Sequence, residues 1–188
     1  GTPQAILLQT QVSGWHPYFT YYFAPGNSYL GGDFFFPKEK PDCITFIENL
    51  KTPAHDVVLR HLAVSALVEL GGGKVSNCLV HPSVRQASHD IFARDISKEL
   101  QWCKEHIDDE FKAEFTAVYD GLAPVKYSKA SVSDAFGKAK DLLTSNAVKI
   151  LIMNGKNAIS SDQYSTGANI VIGGNTLGRG VTFPSLHT

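Results

Sequence analysis

Four glycines and one arginine crowd into residues 173–180 of the stretch I-V-I-G-G-N-T-L-G-R-G-V-T, which spans residues 170–182. Successive glycines let backbone N–H groups converge on an anion with no Cβ in the way. Arg179 would add a forked donor matched to phosphate oxygens. Asn175, Thr176 and Thr182 supply further short polar groups. Gly173, Gly174, Asn175, Thr176, Gly178, Arg179, Gly180 and Thr182 are therefore candidates for ATP or phosphate binding. From Gly173 to Gly178 the skeleton mimics a nucleotide phosphate loop. Arg179 and Gly180 then stand where that loop requires lysine and serine or threonine, so a Walker-type loop is rejected. The competing reading is a glycine-rich turn with a solvated arginine, and composition alone weighs the two equally.

A second candidate is H-P-S-V-R, residues 81–85, at the end of an apolar run. His81, Ser83 and Arg85 would place a hydroxyl and a guanidinium beside a helix N-terminus, a reasonable contact for a DNA phosphate. The competing reading is a helix cap by Ser83 with His81 packed locally, and composition leans that way. In P-G-N-S-Y-L-G-G-D, residues 25–33, Tyr29 and Asp33 belong either to a site or to an ordered surface loop. G-G-G-K, residues 71–74, has the wrong spacing for a phosphate loop and reads as a helix stop. Glu110-Phe111-Lys112, with Asp90 or Asp95 upstream, matches the acidic pattern of one metal-dependent nuclease class. It falls in a helical segment, however, and reads as a solvated face. The seven histidines show no metal-ligand spacing, and G-x-S-x-G is absent.

These residues need elements to position them. Residues 54–70 read as a helix, with Val58, Leu62 and Ala66 on one face and Leu59 and Leu70 nearby. Gly71–Gly73 end it. Residues 77–81 read as a short buried strand closed by Pro82. Residues 84–106 read as a long amphipathic helix with Ile91, Ile96, Leu100 and Cys103 on one side. A further helix covers 109–121, and another, capped by Ser131 or Ser133, runs to about Ser145. Residues 148–154 and 168–172 read as strands of a sheet covered on both faces. Nearer the N-terminus, 3–12 suits a helix and 18–23 an aromatic strand. Short apolar strands alternating with long helices indicate an α/β fold with a mainly parallel sheet. Ligands of such sheets sit beyond the carboxyl ends of the strands. The loops 24–33, 82–85 and 173–182 all follow strands, so they can share one rim.

The chain has 188 residues, 43% of them apolar, enough for one domain with a real core. Its 17 basic and 18 acidic residues leave a net charge of −1, so any nucleic-acid contact must come from a local patch. Cys43, Cys78 and Cys103 are odd in number and lack C-x-x-C spacing, which argues against a disulfide scaffold or zinc site. A reducing, cytoplasmic location is the default. No run reaches the ~18 apolar residues of a membrane span. The ends read as those of a piece excised from a longer protein.

Four stretches together resemble a known family. T-P-Q-A-I-L-L-Q, residues 2–9, looks like the segment following the third motif of a superfamily-two helicase. A-P-G-N-S-Y-L-G-G-D-F-F-F, residues 24–36, and C-L-V-H-P-S, residues 78–83, resemble stretches of the Z-one domain. The run 170–182 resembles that domain's hallmark strand and glycine-rich loop. The order and spacing match over nearly the whole chain.

The resemblance implies the helicase C-terminal-like part of bacterial restriction and phage-defence proteins, often labelled endonucleases. It implies a single three-layer RecA-like domain over 1–188, with a mainly parallel sheet flanked by helices: the second lobe of an ATP-driven motor on DNA, truncated at its C-terminal end. ATP and magnesium would bind chiefly through a first lobe of the same protein, and DNA would cross both lobes. Partners would be DNA, that first lobe and other restriction or defence subunits. The loop 173–182 matches the position of a motif that couples nucleotide state to strand grip, and 81–85 matches one that touches the DNA backbone. Gly178 departs from the family's usual serine, and the motif carrying its ATP-reaching arginines does not appear. This segment alone is therefore expected not to hydrolyse ATP. Two other readings stand beside this one. One is a non-catalytic docking adaptor using helices 54–70 and 84–121, and the other is a nuclease domain.

Overall fold

The computed structural model describes Gly26 and residues 53–122, 125, 128–154, 159–178 and 183–187. The chain divides into two compact units, Gly1–Thr45 and Phe46–Thr188. Apart from Gly26, everything described belongs to the second. The helix expected at 3–12, the strand at 18–23 and the rest of the loop 24–33, with Tyr29 and Asp33, lie outside the described residues.

The second unit runs α1 (Pro53–Leu70), β1 (Val75–Val80), α2 (Gln86–Glu105), α3 (Glu110–Asp120), α4 (Val132–Thr144), β2 (Val148–Met153) and β3 (Gly167–Gly173). Short 3-10 turns lie at Ser161–Tyr164 and Asn175–Gly178. β3 sits between β1 and β2 and pairs parallel with both. Among the described residues the fold is α/β, a small parallel three-stranded sheet flanked by four helices.

Local chemistry explains the boundaries. Gly72 takes φ +83°, a left-handed conformation natural to glycine. Its N–H then reaches the Glu69 carbonyl at 2.9 Å and that of Gly73 reaches Val68 at 2.8 Å, the paired bonds that close a helix. Asn146, φ 55°, closes α4 in the same way, with Ala147 N–H on the Leu142 carbonyl at 3.0 Å. At its start α4 takes Ser131 rather than Ser133 as its cap. The Ser131 hydroxyl accepts from Asp134 N–H at 3.1 Å, and Asp134 accepts from Ser131 N–H at 3.3 Å.

Strand alternation divides the sheet into two faces. Cys78, Val80, Val148, Ile150, Ala168, Ile170 and Ile172 join one core with residues of all four helices. On the other face Val171, Leu79, Leu151 and Met153 pack with Tyr164, Ile159, Leu177 and Phe183. Among the described residues that second face is covered by turns and irregular chain. The expectation of helices on both faces is therefore met on one. Ile91 also departs from expectation: it was placed on the buried stripe of α2 and is 52% exposed. The stripe runs through His89, Ile96 and Cys103. Ile91 lies five residues before Ile96, about 140° around the helix.

Three helices meet at an ionisable clamp. His55 of α1 has Nδ1 2.8 Å from a Glu99 carboxylate oxygen on α2 and Nε2 2.7 Å from one of Glu114 on α3. Its ring stands edge-on to Trp102 at 5.0 Å, and Trp102 stacks on His106 at 4.7 Å. Burial alone would lower the pKa of His55, but the hydrogen bonds to Glu99 and Glu114 and their charges outweigh it and raise the pKa above 6.5. Only the imidazolium donates to both carboxylates. A pKa raised in the folded state means stability that is full below about 6.5 and disappears as pH rises through the folded value. His61 acts in the opposite sense. Its burial and the neighbouring His187 lower its pKa to about 3, so acid below its ordinary pKa destabilises. The comparison that isolates the clamp is therefore wild type against His55→Gln. The wild-type advantage in urea midpoint should be largest near pH 6 and shrink steadily in alkaline buffer; a pH-independent gap would refute the clamp.

Candidate functional site

The carboxyl ends of β1 and β3 lie side by side, with Val80 paired to Ile172. The chain therefore leaves both strands onto one rim, which brings 81–85 beside 174–178 as the strand-end argument expects. In the first segment His81 and Arg85 are exposed and Ser83 is half-buried. The local reading of these residues as a Ser83 helix cap with a packed His81 does not describe them. The N-cap of α2 is Arg85, with no side-chain cap bond. The Ser83 hydroxyl instead accepts from Arg85 N–H at 3.2 Å, a turn just ahead of the helix. Arg85 is thus free of a capping task and stands at the N-terminal end of α2.

In the second segment Gly173 and Gly174 are buried and Asn175 is exposed. Thr176 and Gly178 are described by their backbone alone, and Arg179, Gly180 and Thr182 lie outside the described residues. Space, and not a left-handed backbone, explains Gly173, while Gly174 sits in close but still passable quarters. A Cβ on Gly173 would sit 2.5 Å from the Met153 carbonyl oxygen and 2.9 Å from Leu177 Cγ. A Cβ on Gly174 would sit 3.3 Å from His89 Cε1 and 3.4 Å from both His89 Nε2 and the Ser83 carbonyl oxygen.

The far end of the glycine-rich stretch is also held. Asn77 and Asn169, fully buried neighbours on β1 and β3, form an amide pair in which Asn169 Nδ2 donates to Asn77 Oδ1 at 2.9 Å. Asn77 Nδ2 donates to the carbonyls of Pro184 at 2.6 Å and Tyr164 at 3.0 Å. The Asn77 backbone N–H donates to Ser185 and its carbonyl accepts from His187 N–H, each at 3.0 Å, so Leu186 bridges β1 in parallel. Phe183 packs on Tyr164 with ring centroids 4.7 Å apart. Whatever the glycine-rich segment does between Gly174 and Phe183, it does between two fixed ends.

His89, Asn77 and Asn169 were not singled out by sequence reasoning. The asparagines carried a signal, an amide inside otherwise apolar strand runs, which demands a buried partner. His89 carried none, since it keeps the seven-residue spacing of the buried stripe.

Other features lie away from this rim. A cleft of about 600 Å3 opens between α2, the end of α4 and β2, lined by Leu100, Leu142, Val148 and Ile150 with Lys104 and Asn146. It shares no residue with the rim. Glu110 and Lys112 are exposed at the start of α3 with Phe111 buried between them. Among the described residues no His, Cys, Asp and Glu side chains gather into a group fit to hold a metal ion. Burial pushes the Cys78 thiol up to about 12, and burial with Glu99 and Glu114 nearby does the same to Cys103. No described helix is long and apolar enough to cross a membrane.

No curated protein and no solved structure matches the chain. The model of the Z1 (Z-one) domain matches residues 56–188, from the first turn of α1 through the glycine-rich segment and beyond, and the chain belongs to the Z1 domain family.

Proposed function

We propose that this chain is the second, RecA-like motor lobe of a DNA-dependent ATPase acting in bacterial restriction or phage defence in the cytoplasm. DNA is gripped through its phosphates by His81, Ser83 and Arg85. The glycine-rich segment, with Asn175, Thr176, Arg179 and Thr182, answers to the phosphates of ATP or DNA as the two lobes close. ATP and magnesium are held mainly by the first lobe of the same protein. The observation that carries the reading is the meeting of 81–85 and 174–178 at the carboxyl ends of adjacent parallel strands. Parallel sheets place their ligands there. The first segment leads into the N-terminus of α2 and exposes His81 and Arg85 there, and the second exposes Asn175, polar groups suited to phosphate contacts. Shape change confined to a glycine-rich segment with fixed ends suits a coupling element.

The test is ATP hydrolysis by the full-length protein that carries this domain, with and without duplex DNA. DNA should stimulate the rate, and the stimulation should fall as salt is raised because phosphate contacts release counterions. Arg85→Ala should raise the DNA concentration needed for half-stimulation by about tenfold, the order expected from losing one or two phosphate contacts. A full-length protein with no DNA-stimulated hydrolysis sinks the proposal.

A further inference from the structure

Among the described residues, the His89 side chain lies where the two segments of the rim meet. It comes from the first turn of α2 and is 1% exposed. Its Nε2 lies 2.8 Å from the Ser83 carbonyl oxygen. A carbonyl only accepts, so Nε2 carries a hydrogen and donates. Gly174 comes near the same ring: a Cβ there would meet Cε1 at 3.3 Å, and Nε2 and the Ser83 oxygen at 3.4 Å each, a close contact that leaves little slack. Nδ1 is buried and has no partner among the described residues. A ring held only for helix capping or core filling would not need to sit at this junction. Its one hydrogen bond fastens the 81–85 turn, and its face sets how near the end of β3 can come.

We propose that His89 is a positioning residue that locks the His81–Arg85 turn to the glycine-rich segment, so that a movement of one at the rim moves the other. The inference rests on the phosphate-binding reading of the rim given above. Ser83 is the transmission point. Its carbonyl is held by His89 while its hydroxyl holds the Arg85 N–H, so the backbone that presents Arg85 is tied to the imidazole two links away. A shift of Gly174 toward the ring would tilt it or stretch the Ser83 bond, and the backbone presenting Arg85 would move with it.

The experiment measures binding of the full-length protein to a short fluorescein-labelled duplex of mixed sequence across a salt series, for wild type, His89→Phe, His89→Gln, Gly174→Ala and Arg85→Ala. His89→Phe keeps a ring but removes the donor, whereas His89→Gln keeps a donor. Gly174→Ala drives a methyl group against the imidazole. For wild type, log K should fall steeply with log salt. Arg85→Ala should flatten the slope by about one unit, the loss of one phosphate contact. His89→Phe and Gly174→Ala should flatten it by about the same amount, and His89→Gln should restore the wild-type slope. A merely destabilising change lowers the active fraction and leaves the slope of the folded molecules alone, so the slope separates positioning from stability. Should His89→Phe fail to fold, the Gln and Gly174 variants carry the decision. A wild type that ignores the duplex overturns the phosphate-binding reading, and the His89 inference falls with it. A wild type and Arg85→Ala that differ as expected, beside His89→Phe and Gly174→Ala that match wild type in slope, overturn the His89 inference alone.

Discussion

Asn77→Asp is expected to destabilise the second unit more than Asn77→Ala, and both should free residues 174–187 ahead of the rest. The fully buried amide of Asn77 donates to two carbonyls and accepts from the equally buried Asn169. Alanine removes these bonds and leaves the Tyr164 carbonyl short of a donor, at a cost of about 2–4 kcal/mol. Aspartate has the same shape but no donor. Its carboxylate would face two carbonyl oxygens in a buried site, which costs more than the lost bonds or forces the group to take up a proton. Urea unfolding gives the ordering, and amide exchange gives the location. The N–H of His187, bonded to the Asn77 carbonyl, and that of Leu177, bonded to the Gly174 carbonyl, should lose protection first. Equal protection across the whole unit would mean that the amide pair contributes to the fold but does not tether the glycine-rich segment.

That network shows where the reach of sequence reading ends. The helices α1, α2 and α4 were legible from apolar spacing or a cap, and Val58, Leu62 and Ala66 are all buried as their spacing requires, although α1 is buried on every side from His61 to Ala66. The strand at 168–172 was legible because a central parallel strand is apolar on both faces, and β3 is buried from Ala168 to Gly173. Strand order was not legible, since an apolar run does not encode its neighbours, and β3 had to enter between β1 and β2. The first strand begins at Val75 rather than Asn77 because Gly72 and Gly73 have already closed α1 and the Ser76 hydroxyl finds Ser65 at 3.1 Å. The candidate rim was half legible. Glycine density marked the segment at 173, but composition reports conformational freedom, whereas Gly173 is dictated by the Met153 carbonyl and Leu177 beside it, which leave no room for a Cβ. That is a tertiary fact, as is the approach of His89. The membership of the chain in the Z1 domain family was legible from C-L-V-H-P-S and the run 170–182, which run out of the adjacent strands β1 and β3.

Phe115→Ala should produce the opposite pattern, a large global loss with the rim unchanged in relative protection. Phe111, Phe115 and Tyr119 lie four residues apart on α3 and are at most 2% exposed. Phe115 is 5.7 Å from the Phe111 ring, 6.2 Å from Tyr119 and, across to α4, 5.6 Å edge-on to Phe136. Truncation leaves a cavity that neighbours held by two helices cannot fill, so about 3–5 kcal/mol is expected. Edge-to-face partners add to what a simple transfer of area would give. The loss should be global because α3 packs on α1 and α4, and α1 in turn carries β1. Every exchange rate governed by full unfolding should then rise together, while the local opening of 174–187, if it precedes unfolding in wild type, should stay where it was. Denaturant slope should be unchanged, since the same surface is exposed on unfolding. A Phe115→Ala protein that loses less than about 1 kcal/mol would mean the aromatic cluster repacks, and α3 would then be an appendage on α1 and not part of the unit that supports the rim.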